Sequence, residues 1–196
     1  MDFNHFAGQY LARLKQVMDA FDLKAFDKIV QMILEAYTQE TQIFVMGNGG
    51  SGATASHLAC DINKGCCHDL DKKFKMICLN DNMATMLALA NDISFEAIFE
   101  EQIKNFFNQG DLVIGISGSG NSENVLRAIK YASANNGKTV GWSGFGGGKL
   151  AGMVDLPFVV QSDDMQQVED AHMVVAHMIM QSVYAELHSG ATRAVC

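Results

Sequence analysis

His57 and Asp61 are four residues apart, a spacing that on a helix puts both on one face, about one turn from each other. An imidazole there can bind a metal or polarise an oxygen, and the carboxylate beside it can remove a proton. A His–Asp pair that merely packs or caps at a subunit surface has the same spacing, so both meanings stay open at this point. Glu169, Asp170, His172 and His177 share a second stretch. Asp170 and His177 face nearly the same way on a helix. Glu169 and His177, eight residues apart, are separated by roughly 12 Å of helical rise. One straight helix does not bring both to a small centre, so either Glu169 lies at an irregular helix start or the two serve sites in different subunits. His172 is expected to be a half-buried histidine on an amphipathic helix.

Two glycine–serine segments accompany these groups: Gly47-Asn48-Gly49-Gly50-Ser51-Gly52-Ala53 and Ser117-Gly118-Ser119-Gly120-Asn121-Ser122. Each follows an apolar run and precedes a helix-compatible stretch. Glycine allows close backbone approach to a ligand, while helix N-terminal N–H groups and serine hydroxyls donate to phosphate oxygens. One such segment alone is most simply a tight turn with a helix cap. Two of them favour a phosphorylated ligand held between both. Neither is a Walker A motif. The first satisfies G-x-G-x-x-G, but the strand candidate that follows ends in Leu79-Asn80-Asp81 and does not supply the expected acidic ribose partner in the usual place. No nucleotide cofactor is expected.

The elements that position these residues follow from periodicity. Helical spacing is predicted over residues 3–20 and 24–37, the latter carrying Phe26, Ile29, Val30, Ile33 and Leu34. Strands are predicted at 41–46, 74–79, 112–116, 139–142 and 156–160. Further helices are expected at 53–63, 82–91, 95–107, 122–135 and about 165–188. Apolar strands without polar alternation, separated by helices, imply a parallel sheet covered on both faces. The fold class is therefore α/β: a three-layer, doubly wound, flavodoxin-like sheet of about five strands. Residues 1–196 read as a single domain, with an N-terminal helical hairpin at 1–38 and the α/β core at 39–196.

Composition removes several function classes. The formal net charge is −8, and Lys plus Arg number 14, which argues against a general nucleic-acid or anionic-membrane surface. No apolar run reaches the roughly 18–20 residues of a membrane span, and Met1-Asp2-Phe3-Asn4-His5 has no signal-peptide character. Cys60, Cys66, Cys67, Cys78 and Cys196 are an odd set without C-x-x-C, the pattern of reduced thiols in a cytoplasmic protein. A metal cluster of His57, Cys60, Cys66, Cys67 and His68 matches no common zinc spacing.

Gly47-Asn48-Gly49-Gly50-Ser51 followed by His57, and Gly115-Ile116-Ser117-Gly118-Ser119-Gly120-Asn121-Ser122, resemble the two signatures of the phosphoheptose isomerases within the sugar isomerase (SIS) domain family. Asn91-Asp92 and Gly147-Gly148-Lys149 are similar in position, and the resemblance covers nearly the whole chain. It implies an aldose–ketose isomerase acting through an enediol(ate) on a phosphorylated ketose such as sedoheptulose 7-phosphate. It implies substrate contacts at Asn48, Gly49, Ser51, Asn91, Asp92, Ser117, Ser119, Ser122 and Glu169, with the serines holding the phosphate. It also implies that Asp61 and His177 carry the proton transfers. Zinc is a candidate cofactor at His57, Asp61, Glu169 and His177, and a homo-oligomer, a tetramer by resemblance, is the expected assembly. This sequence departs from the pattern in four places: Asp61 stands for a glutamate, Glu169 for a glutamine, Gly118 for a threonine and Gly146 for an aspartate. The same fold also serves non-catalytic sugar-phosphate sensors, which is the alternative function.

Overall fold

Five apolar runs become strands: β1 (Ile43–Gly47), β2 (Met76–Cys78), β3 (Leu112–Ile116), β4 (Lys138–Ser143) and β5 (Leu156–Val159). In the computed structural model, which describes residues 1–189, they form one all-parallel sheet in the order β2-β1-β3-β4-β5. That is the doubly wound, flavodoxin-like order expected from the sequence. Helices α1 (Phe3–Asp19) and α2 (Leu23–Gln39) precede β1, α3 (Gly49–Cys60), α4 (Met83–Asp92), α5 (Ile98–Lys104) and α6 (Glu123–Ala134) run between strands, and α7 (Met165–Leu187) follows β5.

Strand alternation sends side chains into two separate cores. Ile43, Val45, Ile114, Trp142 and Phe158 pack against Ile33 of α2, Leu58 of α3 and Val175 and Ile179 of α7. Phe44, Met46 and Val113 pack on the other face against Phe99 of α5 and Val125 and Ile129 of α6. Each such fully buried side chain stabilises the fold by about 1.5–3 kcal/mol. The N-terminal helices thus lie on the same face as α3 and α7. Tyr10 of α1 donates to the Asp170 carboxylate of α7 at 2.5 Å, which pushes the phenol up to about 12.

Three boundaries differ from expectation. Helix α3 begins at Gly49, not residue 53, so the glycine-rich segment is mostly a first helical turn. Strand β2 keeps only three residues, Met76–Cys78; beyond it Leu79 N–H still donates to Val45 C=O at 3.0 Å, and the Asn80 side chain then bonds to Gly47. The 95–107 helix is a 3₁₀ turn at Phe95–Ala97 followed by α5, which closes at Lys104 with Asn105 N–H donating to Gln102 C=O at 3.3 Å.

Backbone packing beside the second glycine–serine segment depends on Gly120. Its φ is +66°, and a Cβ there would overlap the Gly147 carbonyl. Gly120→Ala should lower stability by about 1–3 kcal/mol, read as a lower midpoint in urea unfolding.

Candidate active site

β1 and β3 are neighbours, yet β1 feeds α3 on one face of the sheet and β3 feeds α6 on the other. This is the topological switch point where doubly wound sheets open a ligand crevice. Both glycine–serine segments leave the sheet there, from the paired residues Gly47 and Ile116.

The two helices that start at the crevice differ from most others in the chain. Helices α1, α2, α4 and α7 begin with Asp2, Asp22, Asn82 and Asp164, whose side chains accept from the first-turn N–H groups. Neither Asn48 ahead of α3 nor Ser122 ahead of α6 makes a side-chain cap bond. The first N–H groups of a helix have no intrahelical backbone partner, so two partially positive helix ends without an N-cap side-chain bond stand side by side, with Val125 N–H of α6 donating to Asn124 Oδ1 at 2.9 Å. Such ends bind anions. Ser51 and Ser117 are buried there. The Ser117 hydroxyl lies 3.0 Å from that of Ser122 and also accepts from the Ser122 N–H at 3.4 Å. Ser119 is half-buried, its hydroxyl accepting from Asn121 N–H at 3.3 Å. A side chain at Gly118 would require the Met165 thioether of α7 to move.

Asn48 does not cap α3 because its amide is engaged elsewhere. It exchanges two reciprocal hydrogen bonds with Asn124 of α6, each 2.9 Å. Asn80 in turn accepts from Gly47 N–H at 3.1 Å and donates to Gly47 C=O at 2.6 Å. Sequence reasoning missed Asn80 and Asn124. The one signal for the latter was an asparagine in a helix's first turn, where it is a weak helix former and inclined to local side-chain bonding.

The second feature lies farther along α3. His57 Nε2 is 3.0 Å from His177 Nε2 of α7 and 3.3 Å from Asp61 Oδ2. One ligand atom from each of the three lies within 4.8 Å of the others. The rings meet edge-on at 75°. The two facing nitrogens share at most one proton, so at least one lone pair points into the group. His57 and His177 are exposed and Asp61 half-buried, which leaves the group open to a ligand. Asp61 opens a π-helical turn, Asp61–Gly65, closed by Cys66 N–H donating to Asp61 C=O at 3.0 Å. Irregularities of this kind are frequent at functional sites.

Glu169 is not part of this group. α7 is regular helix through both Glu169 and His177, which removes the irregular-start option, and Glu169 instead lies at Gly50, where a Cβ would collide with its carboxylate. The four-residue metal set is therefore not assembled within one chain; three of the four converge. Asn91 and Asp92 end α4 exposed, with Asn91 donating to Asp92 at 2.7 Å, and hydrogen-bond to neither glycine–serine segment. His172 is fully buried, not half-buried, against the Trp142 and Phe158 rings. Among the described cysteines, Cys60 is exposed and Cys66, Cys67 and Cys78 are buried free thiols. Burial pushes Cys66 and Cys78 up to about 12. None of the described cysteines joins the His57 group, and Cys196 lies outside the described residues.

Gly49 to His57 spans eight residues of helix, roughly 12 Å. The His57 group therefore lies about two turns of α3 from the helix start at Gly49. A family model described as the SIS domain matches residues 5–144. The chain belongs to the SIS domain family. Among its SIS relatives, the phosphoheptose isomerase of Clostridium acetobutylicum is 35% identical over 178 residues, covering 90% of this chain and 89% of the relative. Two solved phosphoheptose isomerase structures share the fold, each at 24% identity and each covering 93% of this chain and 98% of its own. The one from Francisella tularensis has a TM-score of 0.86 and the one from Neisseria gonorrhoeae 0.85.

Proposed function

We propose that this SIS-domain chain is a sugar-phosphate isomerase that interconverts a phosphorylated ketose such as sedoheptulose 7-phosphate with an aldose-derived isomer through an enediol(ate). The observation that carries this is the pairing of two helix ends without an N-cap side-chain bond at the switch point with the His57–Asp61–His177 group farther along α3 and α7. The phosphate lies against the N–H groups of α3 and α6 and the hydroxyls of Ser51, Ser117, Ser119 and Ser122. Its remote binding energy orients the sugar toward the acid–base group.

Asp61 takes the proton from the carbon beside the carbonyl and returns it to the neighbouring carbon. His177 moves protons between the sugar oxygens, and His57, 3.0 Å away, sets which of the two imidazoles carries the shared proton. Asp61 is one methylene shorter than a glutamate, but it starts a π-helical turn and already reaches His57 at 3.3 Å. The donor set of two imidazoles and a carboxylate fits zinc. Held by His57, Asp61 and His177, zinc would supply Lewis-acid stabilisation of the developing oxyanion.

No helix among the described residues is long and apolar enough to cross a membrane, and cytoplasmic location is part of the proposal. So is self-association: Phe3, Phe6 and Leu11 of α1, with Met83 and Leu87 of α4, are large apolar side chains left exposed by the single chain. A homo-oligomer, in the tetrameric arrangement the family resemblance implies, would cover them.

The test is incubation of the purified chain with sedoheptulose 7-phosphate, with and without added zinc, following loss of the ketose and appearance of its isomer. Turnover supports the isomerase. Saturable binding without turnover would contradict it and favour a sugar-phosphate sensor.

A further inference from the structure

We infer that Asn124 and Asn80 are positioning residues that set the spacing of the two helix ends forming the anion seat. The inference rests on the phosphate-binding role proposed above. The two segments leave neighbouring strands for opposite faces of the sheet, so nothing in the backbone ladder ties them together beyond Gly47 and Ile116. The paired Asn48 and Asn124 amides bridge that gap with two bonds in a closed ring, each 2.9 Å. Asn124 is 2% exposed, and its Oδ1 also accepts from Val125 N–H at 2.9 Å, which fixes its orientation.

Asn80 acts on the other side of the same segment. The β2 backbone leaves the ladder after Leu79 N–H donates to Val45 C=O at 3.0 Å. The Asn80 side chain then presents a donor and an acceptor to the Gly47 peptide, as another strand residue would. Gly47 is held from both edges, by β3 and by this amide. Neither asparagine needs to touch the ligand. Together they leave the first α3 N–H groups uncapped and aimed into the crevice, because the amide at the capping position is drawn across to α6. A preformed seat of this kind binds an anion without reorganising.

The experiment uses the full chain with Asn124→Leu, similar in size but unable to bond, and Asn80→Ser as a second variant should the first fail to fold. Inorganic phosphate affinity is measured by titration calorimetry, and KM and kcat for sedoheptulose 7-phosphate by the isomerase assay. The expected result is a rise of about tenfold in both the phosphate Kd and KM, with kcat within about twofold of wild type. Phosphate affinity unchanged in a folded variant would overturn the inference. So would a joint fall in kcat and melting temperature with no change in phosphate Kd, which marks a merely structural role. A wild-type chain that binds no phosphate would sink the anion seat itself, a failure visible before any substitution is made.

Discussion

His177→Ala should lower turnover of the sugar phosphate by roughly 10²–10⁴-fold, the usual contribution of a positioned acid–base group. Inorganic phosphate affinity should stay within about twofold of wild type, since the anion seat lies elsewhere. His177 is exposed near the middle of α7 and touches His57 and Asp61 rather than the core, so its truncation leaves no buried cavity. The seat is built from α3, α6 and the serines, roughly 12 Å of helix away from His57. Asp61→Ala should behave in the same way, because removing either member breaks the same proton path. Parallel loss of phosphate binding in His177→Ala would instead show that the residue is a ligand or structural group. Steady-state kinetics and phosphate calorimetry on the same preparation separate the two outcomes.

A second large effect concerns stability rather than turnover. His172 is fully buried beside Trp142 and Phe158, and neither ring nitrogen has a hydrogen-bond partner. Desolvation by burial pushes its pKa down to about 4. In the unfolded chain the same imidazole titrates near 6.5. Between these values the unfolded state holds the proton and the folded state does not. Stability therefore falls as pH drops from about 6.5 toward 4 and changes no further from this group below that. The shift corresponds to about 3 kcal/mol, a large part of the net stability of an ordinary domain. His172→Leu should flatten this part of the stability–pH profile in urea unfolding, because it removes the titrating group while filling the apolar site. An unchanged acid slope in His172→Leu would place the acid sensitivity elsewhere.

The sheet was legible because its strands are short, mostly apolar runs separated by helical patterns. Leu112–Ile116 was predicted residue for residue, and β1 shifted by only one or two positions. The start of α3 was not legible, because Gly49 and Gly50 look like a loop. In the structure they form an uncapped first turn, where glycine keeps the N–H groups accessible. The pairing of the Asn80 side chain with Gly47 beyond β2 was hidden, because it is a side-chain contact across 33 positions. Helix arithmetic correctly separated Glu169 from His177. The meeting of His57 with His177, 120 positions away, depends on how α3 packs on α7 and has no local signature. The Asn48–Asn124 ring was concealed for the same reason. His172 was placed half-buried because a histidine on an amphipathic helix does not reveal which face meets Trp142 and Phe158.

The most direct test of the isomerase is proton NMR in heavy water with sedoheptulose 7-phosphate. An enediol(ate) path replaces a proton on the carbon beside the carbonyl with deuterium even when the equilibrium lies far to one side. Exchange is expected in the wild type and disappears in both Asp61→Ala and His177→Ala. Absence of exchange in a wild-type chain that binds the sugar phosphate saturably, with zinc present, would contradict it and leave a sensor in place of an enzyme.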